Sequence, residues 1–208
     1  MGLFRDFMTS FTGAMKLGRD TNHTLLEEDG TLVAVGDAIC FEDENFDLIN
    51  LRGVGSNPDP ITIPTTNLNI AGFSSVQIEE VETIKELRHS WATGTPISFH
   101  FHPCATDNNS GVAVFKLEID FVGTDEPVPT ANYTTLRVEV AIEPNKPFYR
   151  QNASFPDVIP SGNFVQMPIR FYRDTTDPAD TYGSDVGVYT LGYHLQKNML
   201  GSRQITTK

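Results

Sequence analysis

The sequence predicts an all-β fold, an antiparallel sandwich or barrel carried behind a short N-terminal helical arm. Three observations predict it. From about residue 31 the apolar residues recur with a period of two rather than 3.6. The segments between the apolar rows are rich in the Pro, Gly, Asn and Asp that punctuate β folds. Fourteen Phe and six Tyr against a single Trp suit a pleated interior. A chain of 208 residues has room for one sizeable core or one domain plus an arm. The expected organisation is an amphipathic arm over residues 1–30 and one β domain over residues 31–208.

The arm comes first. Leu3, Phe4, Phe7, Met8, Phe11 and Met15 fall at helical spacing, interrupted by Arg5 and Asp6. Such a stripe needs apolar surface, on its own domain or on a partner. Leu3, Phe4, Phe7, Met8 and Phe11 are the residues that would make a partner contact. The charges and short apolar runs do not make a secretory signal, and Asp6 stands where a myristoylation pattern needs Ser or Thr.

The strands follow. Ala113, Phe115, Leu117, Ile119 and Phe121 alternate with Val114, Lys116, Glu118 and Asp120, the pattern of a half-buried antiparallel strand. The partly polar second row would suit an oligomer contact. Leu136, Val138, Val140 and Ile142 make a second inward row; Val165, Met167, Ile169 and Phe171 a third; Tyr189, Leu191, Tyr193 and Leu195 a fourth. Pro168 inside the third row predicts an edge strand or a bulge. In VQIEEVETIKELRHSW, Val76 and Ile78 fit a strand and Val81, Ile84 and Leu87 a helical turn, so a strand running into a loop is expected, with a short helix as the alternative. No period of 20–50 residues recurs, which excludes solenoids and propellers.

Charge and composition narrow the function classes. Twenty-seven acidic against 15 basic residues give a formal charge of −12, a field that opposes contact with a phosphate backbone, so no nucleic-acid partner is expected. No apolar run approaches the roughly 18 residues of a membrane-spanning helix, so no membrane partner is expected either. Two cysteines, Cys40 and Cys104, are too few for a disulfide scaffold, and synthesis in a reducing cytosol is expected. Cys104 is read as a small buried thiol.

The chemistry-bearing stretch is GTPISFHFHP, residues 94–103. Gly94, five residues, then His100-x-His102 matches the start of a cupin metal motif, because alternate residues of a strand share a face and can hold one cation. Asp107 follows where that motif has Glu, and His194 with Asn198 has the spacing of the end of its second half, but Tyr189 and Leu191 replace the expected Pro and Gly. The enzymatic alternative is therefore a cupin-like metal-dependent enzyme using His100, His102, Asp107 and His194. Facing argues against it. Ile97, Phe99 and Phe101 form the more apolar row, which sends Ser98, His100 and His102 outward. Asp174, Asp177, Asp180 and Asp185 crowd one loop, either as a calcium site or as a solvated acidic face. A further alternative is a carbohydrate-binding adhesin, with Tyr172 or Tyr182 as surface aromatics that stack on sugars.

LRHSWATGTPISFHFHP, SGVAVFKLEIDFV, the final LGYHLQKNMLGSRQITTK and the early GDAICFED together resemble a family of small virion proteins of tailed bacteriophages. Pro103 stands where that family has an aromatic, and Phe115 where it commonly has Trp. The resemblance implies an antiparallel jelly-roll β-sandwich, usually a homotrimer, on the exterior of the head or at the head-to-tail neck of the virion. It implies a decoration or cement role without catalysis or cofactor. The partners would be other copies of the chain and the major capsid or connector (portal-neck) proteins, after synthesis in the host cytoplasm. The arm would provide the anchor.

Overall fold

The computed structural model describes residues 15–16, 23–28, 31–36, 40–88, 90–123, 133–160 and 166–197. Near the N-terminus, β1 (Met15–Lys16), β2 (His23–Glu28) and β3 (Thr31–Gly36) form a three-stranded antiparallel sheet. Met15, the last residue of the expected helical stripe, is therefore in a strand. Leu3, Phe4, Phe7, Met8 and Phe11 lie outside the described residues. The boundary expected at residue 30/31 falls between β2 and β3, which pair with each other.

The remaining elements are β4 (Cys40–Phe46), β5 (Asp59–Thr62), β6 (Asn69–Phe73), β7 (Glu80–Glu86), β8 (Ile97–Ala105), β9 (Gly111–Ile119), β10 (Thr134–Ile142), β11 (Ala153–Ser154), β12 (Gln166–Arg173) and β13 (Val186–Lys197). They build two antiparallel sheets. The smaller has the order β10–β9–β12–β7 and the larger β11–β8–β13–β6–β5. β13 lies along β8 on one side. Its other side is shared, Val186–Val188 pairing with β6 and Leu191–Lys197 with β4. From β6 onward the chain passes back and forth between sheets: β6, β8, β11 and β13 join the larger, and β7, β9, β10 and β12 the smaller.

The two sheets pack as a β-sandwich, and the alternation in the sequence explains which faces meet. Ile97, Phe99 and Phe101 of β8 are buried, as are Ala113, Phe115, Leu117 and Ile119 of β9 and Met167, Ile169 and Phe171 of β12. Phe101 from the larger sheet meets Phe115 from the smaller at 4.9 Å between ring centroids. Phe115 stacks on Phe171 at 5.3 Å, and Phe73 stands edge-on to both. Each such side chain removed from water contributes about 1.5–3 kcal/mol before ordering costs.

Two sequence expectations change here. β12 is an internal strand rather than an edge: β7 pairs with Gln166–Tyr172 and β9 with Ile169–Arg173. Pro168 interrupts the pairing toward β9: its carbonyl accepts the Asp120 N–H at 3.2 Å, the proline returns no donor, and pairing resumes at Gln166 with Val122. The fourth apolar row is also broken. The β13–β8 register shifts between Val188 and Leu191, so Val186, Val188, Leu191, Tyr193 and Leu195 reach the core while Tyr189 falls out of phase. Its hydroxyl donates instead to the Phe148 carbonyl at 2.7 Å. Val165 of the third row lies outside the described residues. The outer row of β9 is occupied within the chain: Lys116 pairs with Asp174, and Glu118 with Arg170 and Tyr172.

Candidate functional site: the histidine face and the loop beside it

β8 alternates Ile97, Phe99 and Phe101 into the core with Ser98, His100 and His102 on the opposite face. The histidines therefore stand on the outside of an open sheet, whereas a cupin arrangement would turn them into a closed barrel. Strand register then assembles a cluster. Asp43 of β4 lies opposite His194 of β13, and His100 of β8 lies opposite Gly192, two residues from His194 on the same face. The His100 and His194 rings stack with centroids 4.4 Å apart, and His102 lies 5.3 Å from His100. Asp43 Oδ1 is 3.5 Å from His194 Nε2 and 3.9 Å from His100 Nε2.

Gly192 makes this arrangement possible. A Cβ there would stand 3.0 Å from His100 Cε1 and 2.7 Å from Asn45 Oδ1, so only glycine leaves room for the His100 ring over the strand. The His100 side chain is 14% exposed, against 44% for His194 and 54% for Asp43. Burial pulls His100 below the usual histidine range. The neighbouring His194, and to a lesser degree His102 and Arg150, push the same way while Asp43 opposes. The His100 and His102 Nδ1 atoms are buried and have no hydrogen-bond partner among the described residues. Packing rather than a hydrogen bond on Nδ1 orients these rings.

The other sequence candidates are engaged elsewhere. Asp107 is not part of the histidine cluster. It accepts hydrogen bonds from the Tyr182 hydroxyl at 2.7 Å, from Ser184 Oγ at 2.5 Å and from the backbone and side chain of Asn109. Those bonds, Ser184's first, hold its carboxyl down to about 2. Nor is the acidic loop a free cation site, since its carboxylates have partners within the chain; Asp185 alone of the four is exposed. Asp174 takes Lys116, Asp177 takes Arg137 through two bonds of 2.8 and 3.0 Å, and Asp185 takes the Ser75 amide. Asp180 takes the buried Arg173 through two bonds of 2.7 and 2.9 Å.

Tyr172 and Tyr182 are buried rather than available to a sugar. The Tyr172 hydroxyl donates to Glu118 with Arg170 lying over its ring, and the Tyr182 hydroxyl serves Asp107. Cys104 is buried, and desolvation pushes its thiol up to about 12, which suppresses the thiolate a nucleophile needs. Asn198 lies outside the described residues.

A second surface feature adjoins the histidine face. Residues 143–152, between β10 and β11, run beside β8: Phe148 N–H donates to the Ala105 carbonyl and Gln151 N–H to the Pro103 carbonyl, both at 2.8 Å. Asn145 and Phe148 adopt φ of 60° and 63°, left-handed backbone that costs a non-glycine residue on the order of 1–3 kcal/mol and persists only where the surroundings impose it. Here the imposed groups are visible. Besides its amide bond, Phe148 receives the Tyr189 hydroxyl, and Gln151 Nε2 donates to the Ala141 carbonyl. The shaped loop encloses a concavity of about 380 Å³ lined by Glu143, Lys146, Tyr149, Arg150, Gln151 and Asn152. Tyr149 is 68% exposed, an aromatic ring presented to solvent amid charged and amide groups. Asp43 and Tyr149 were not singled out by motif. Asp43 becomes visible only through strand pairing, and Tyr149 carried only the weak signal of an aromatic in a polar Pro/Asn-rich loop.

No described protein family matches the chain, and no curated protein matches it by sequence. Among solved structures it is similar to the CBM36-1 domain of a multidomain xylanase from the hindgut metagenome of Trinervitermes trinervoides. That match has 14% identity and a TM-score of 0.43, and it covers 74% of this chain and 96% of that domain. It is also similar to dimeric latent PorU from Porphyromonas gingivalis, at 9% identity and a TM-score of 0.40, covering 77% of this chain but only 13% of that one. Likenesses this distant transfer no activity, and the fold described above rests on the chain's own strand ladders.

Proposed function

We propose that the chain is a non-catalytic binding module of jelly-roll topology that takes carbohydrate in the concavity at Tyr149. The strand order supports the jelly-roll reading, with β11–β8–β13–β6 facing β10–β9–β12–β7. The observation that carries the binding reading is the exposed Tyr149 ring set in a polar concavity whose backbone is held in shape before any ligand arrives. An aromatic face suits the apolar C–H side of a sugar ring, while Glu143, Arg150 and Asn152 offer donors and acceptors to hydroxyls. A preshaped loop reduces the ordering cost of binding. Probing a glycan array with untagged protein tests this. Selective glycans should be retained, and Tyr149→Ala should weaken their binding roughly tenfold or more, as loss of a central aromatic anchor does. An array without specific signal, or a Tyr149→Ala protein that binds like the parent, would overturn the reading.

A second reading concerns where such a module works. The resemblance of residues 87–103, 110–122 and 191–208 to tailed-phage virion proteins, with the charge of −12, favours a place on the virion exterior as decoration, neck protein or tail adhesin. There it would be a homotrimer contacting capsid or connector proteins through its N-terminal segment. Light scattering should then give about three times the 23.0 kDa chain mass. Particles assembled without the protein should lose density outside the head, neck or tail. Unchanged particles would sink this reading while leaving the glycan result untouched.

A further inference from the structure

We propose that Asp43, His100 and His194 form a surface site for one divalent transition-metal ion of the Zn2+, Co2+ or Ni2+ class. The ligand set is neither the cupin pattern nor part of the carbohydrate reading, and it does not depend on either. It is built by three adjacent strands, one ligand from each of β4, β8 and β13.

Three observations converge on the site. The ligating atoms of Asp43, His100 and His194 all lie within 4.8 Å of one another. Two of the spacings, 3.5 and 3.9 Å from Asp43 Oδ1 to the two Nε2 atoms, are close to the roughly 3.3–3.4 Å that separates neighbouring ligands of a tetrahedral ion bound at about 2.0–2.1 Å. The remaining closure falls to side chains free to make it, because Asp43 and His194 are the exposed members while His100 is wedged in place. Gly192 supplies the third observation. It opposes His100 in the ladder, and its missing side chain is the space the ring occupies.

The donor set selects the metal class. Two imidazoles and one carboxylate match zinc and its neighbours in the first transition row, whereas Mg2+ and Ca2+ favour oxygen ligands throughout. Three protein ligands leave a fourth position for water or for a donor brought by another molecule. Asp107 takes no part, and His102 stands beside the site rather than in it.

The test is a titration of untagged full-length protein with CoCl2, read by the visible absorption of the coordinated ion, and with ZnCl2 read by calorimetry. One ion should bind per chain, undisturbed by millimolar MgCl2. His194→Ala and Asp43→Asn should each weaken binding at least as much as the roughly 10- to 100-fold that loss of an outer-sphere partner costs. His102→Ala should leave it unchanged. Both ligand variants alter exposed side chains, and an unchanged thermal midpoint verifies that they remain folded. Parent protein without a saturable Co2+ or Zn2+ isotherm below millimolar metal would overturn the proposal. So would parental affinity in His194→Ala and Asp43→Asn.

Discussion

The acidic loop of residues 174–185 and the histidine face offer the same kind of group, side chains with lone pairs that can hold a cation, and the fold treats them in opposite ways. In the loop, neighbours occupy the carboxylates. Arg173 is fully buried and grips Asp180 through two bonds while its remaining N–H groups reach the Ser74, Ser184 and Tyr182 carbonyls. On the histidine face the buried Nδ1 atoms of His100 and His102 have no partner among the described residues, and Asp43 stands half in solvent. Clustered acids say little about function until their partners are counted. What distinguishes scaffold from candidate site here is whether the lone pairs are already in use.

That contrast can be broken by mutation, and the largest effect belongs to the loop. Arg173→Ala takes the buried cation away from Asp180 and leaves that buried side chain only the Val114 amide, and should cost about 3–5 kcal/mol in denaturant unfolding. Retention of parental stability would show that the loop clamp is dispensable. Gly192→Ala comes next. The new methyl must displace His100, Asn45 or the Glu44 backbone, and overpacking of this kind costs about 1–3 kcal/mol by the same assay. Alanine tolerated without loss would mean that the His100 ring is not held where the ladder puts it.

Acid provides a smaller effect with a definite sign. Asp107 is held at about 2 in the folded chain, below the roughly 3.9 of an unfolded aspartate. Its contribution is therefore fully present above about pH 4 and disappears as pH falls through 2. Stability measured from pH 5 down to pH 2 should fall less steeply in Asp107→Asn than in the parent, and parallel curves would contradict the assignment. The smallest effect is expected on the histidine face. His194→Ala removes an exposed side chain without a structural hydrogen bond and should change unfolding free energy by less than about 0.5 kcal/mol in metal-free buffer. A loss of several kcal/mol would make His194 part of the scaffold.

Much of this architecture was legible in the sequence, for a physical reason. A strand buried on one face writes its orientation as alternation, so the rows of β8, β9 and β10 and the outward turn of His100 and His102 could be read directly. Features that depend on which strands become neighbours could not. Asp43 meets His194 through a ladder between distant parts of the chain. The burial of Tyr172 and Tyr182 depends on Glu118, Arg170 and Asp107 arriving from other elements. Tyr189 looked like a core residue because a period-two pattern carries no sign of a bulge, and the shift before Leu191 moved it out of phase. Pro168 marked an interrupted ladder correctly but not an edge, since composition does not reveal what lies on the far side of a strand.

β13 has a bearing on how the chain folds as it is made. This one strand holds β4, β6 and β8 together, and it follows all of them in the sequence. A nascent chain that has not yet emerged past Val186 can pair β5 with β6 and β8 with β11, but it leaves β4 without its partner and the larger sheet in pieces. Closure waits for β13, and contacts of such long range make folding slow. In the interval the open edges of those pieces are what a chaperone, or a second nascent chain, would meet first.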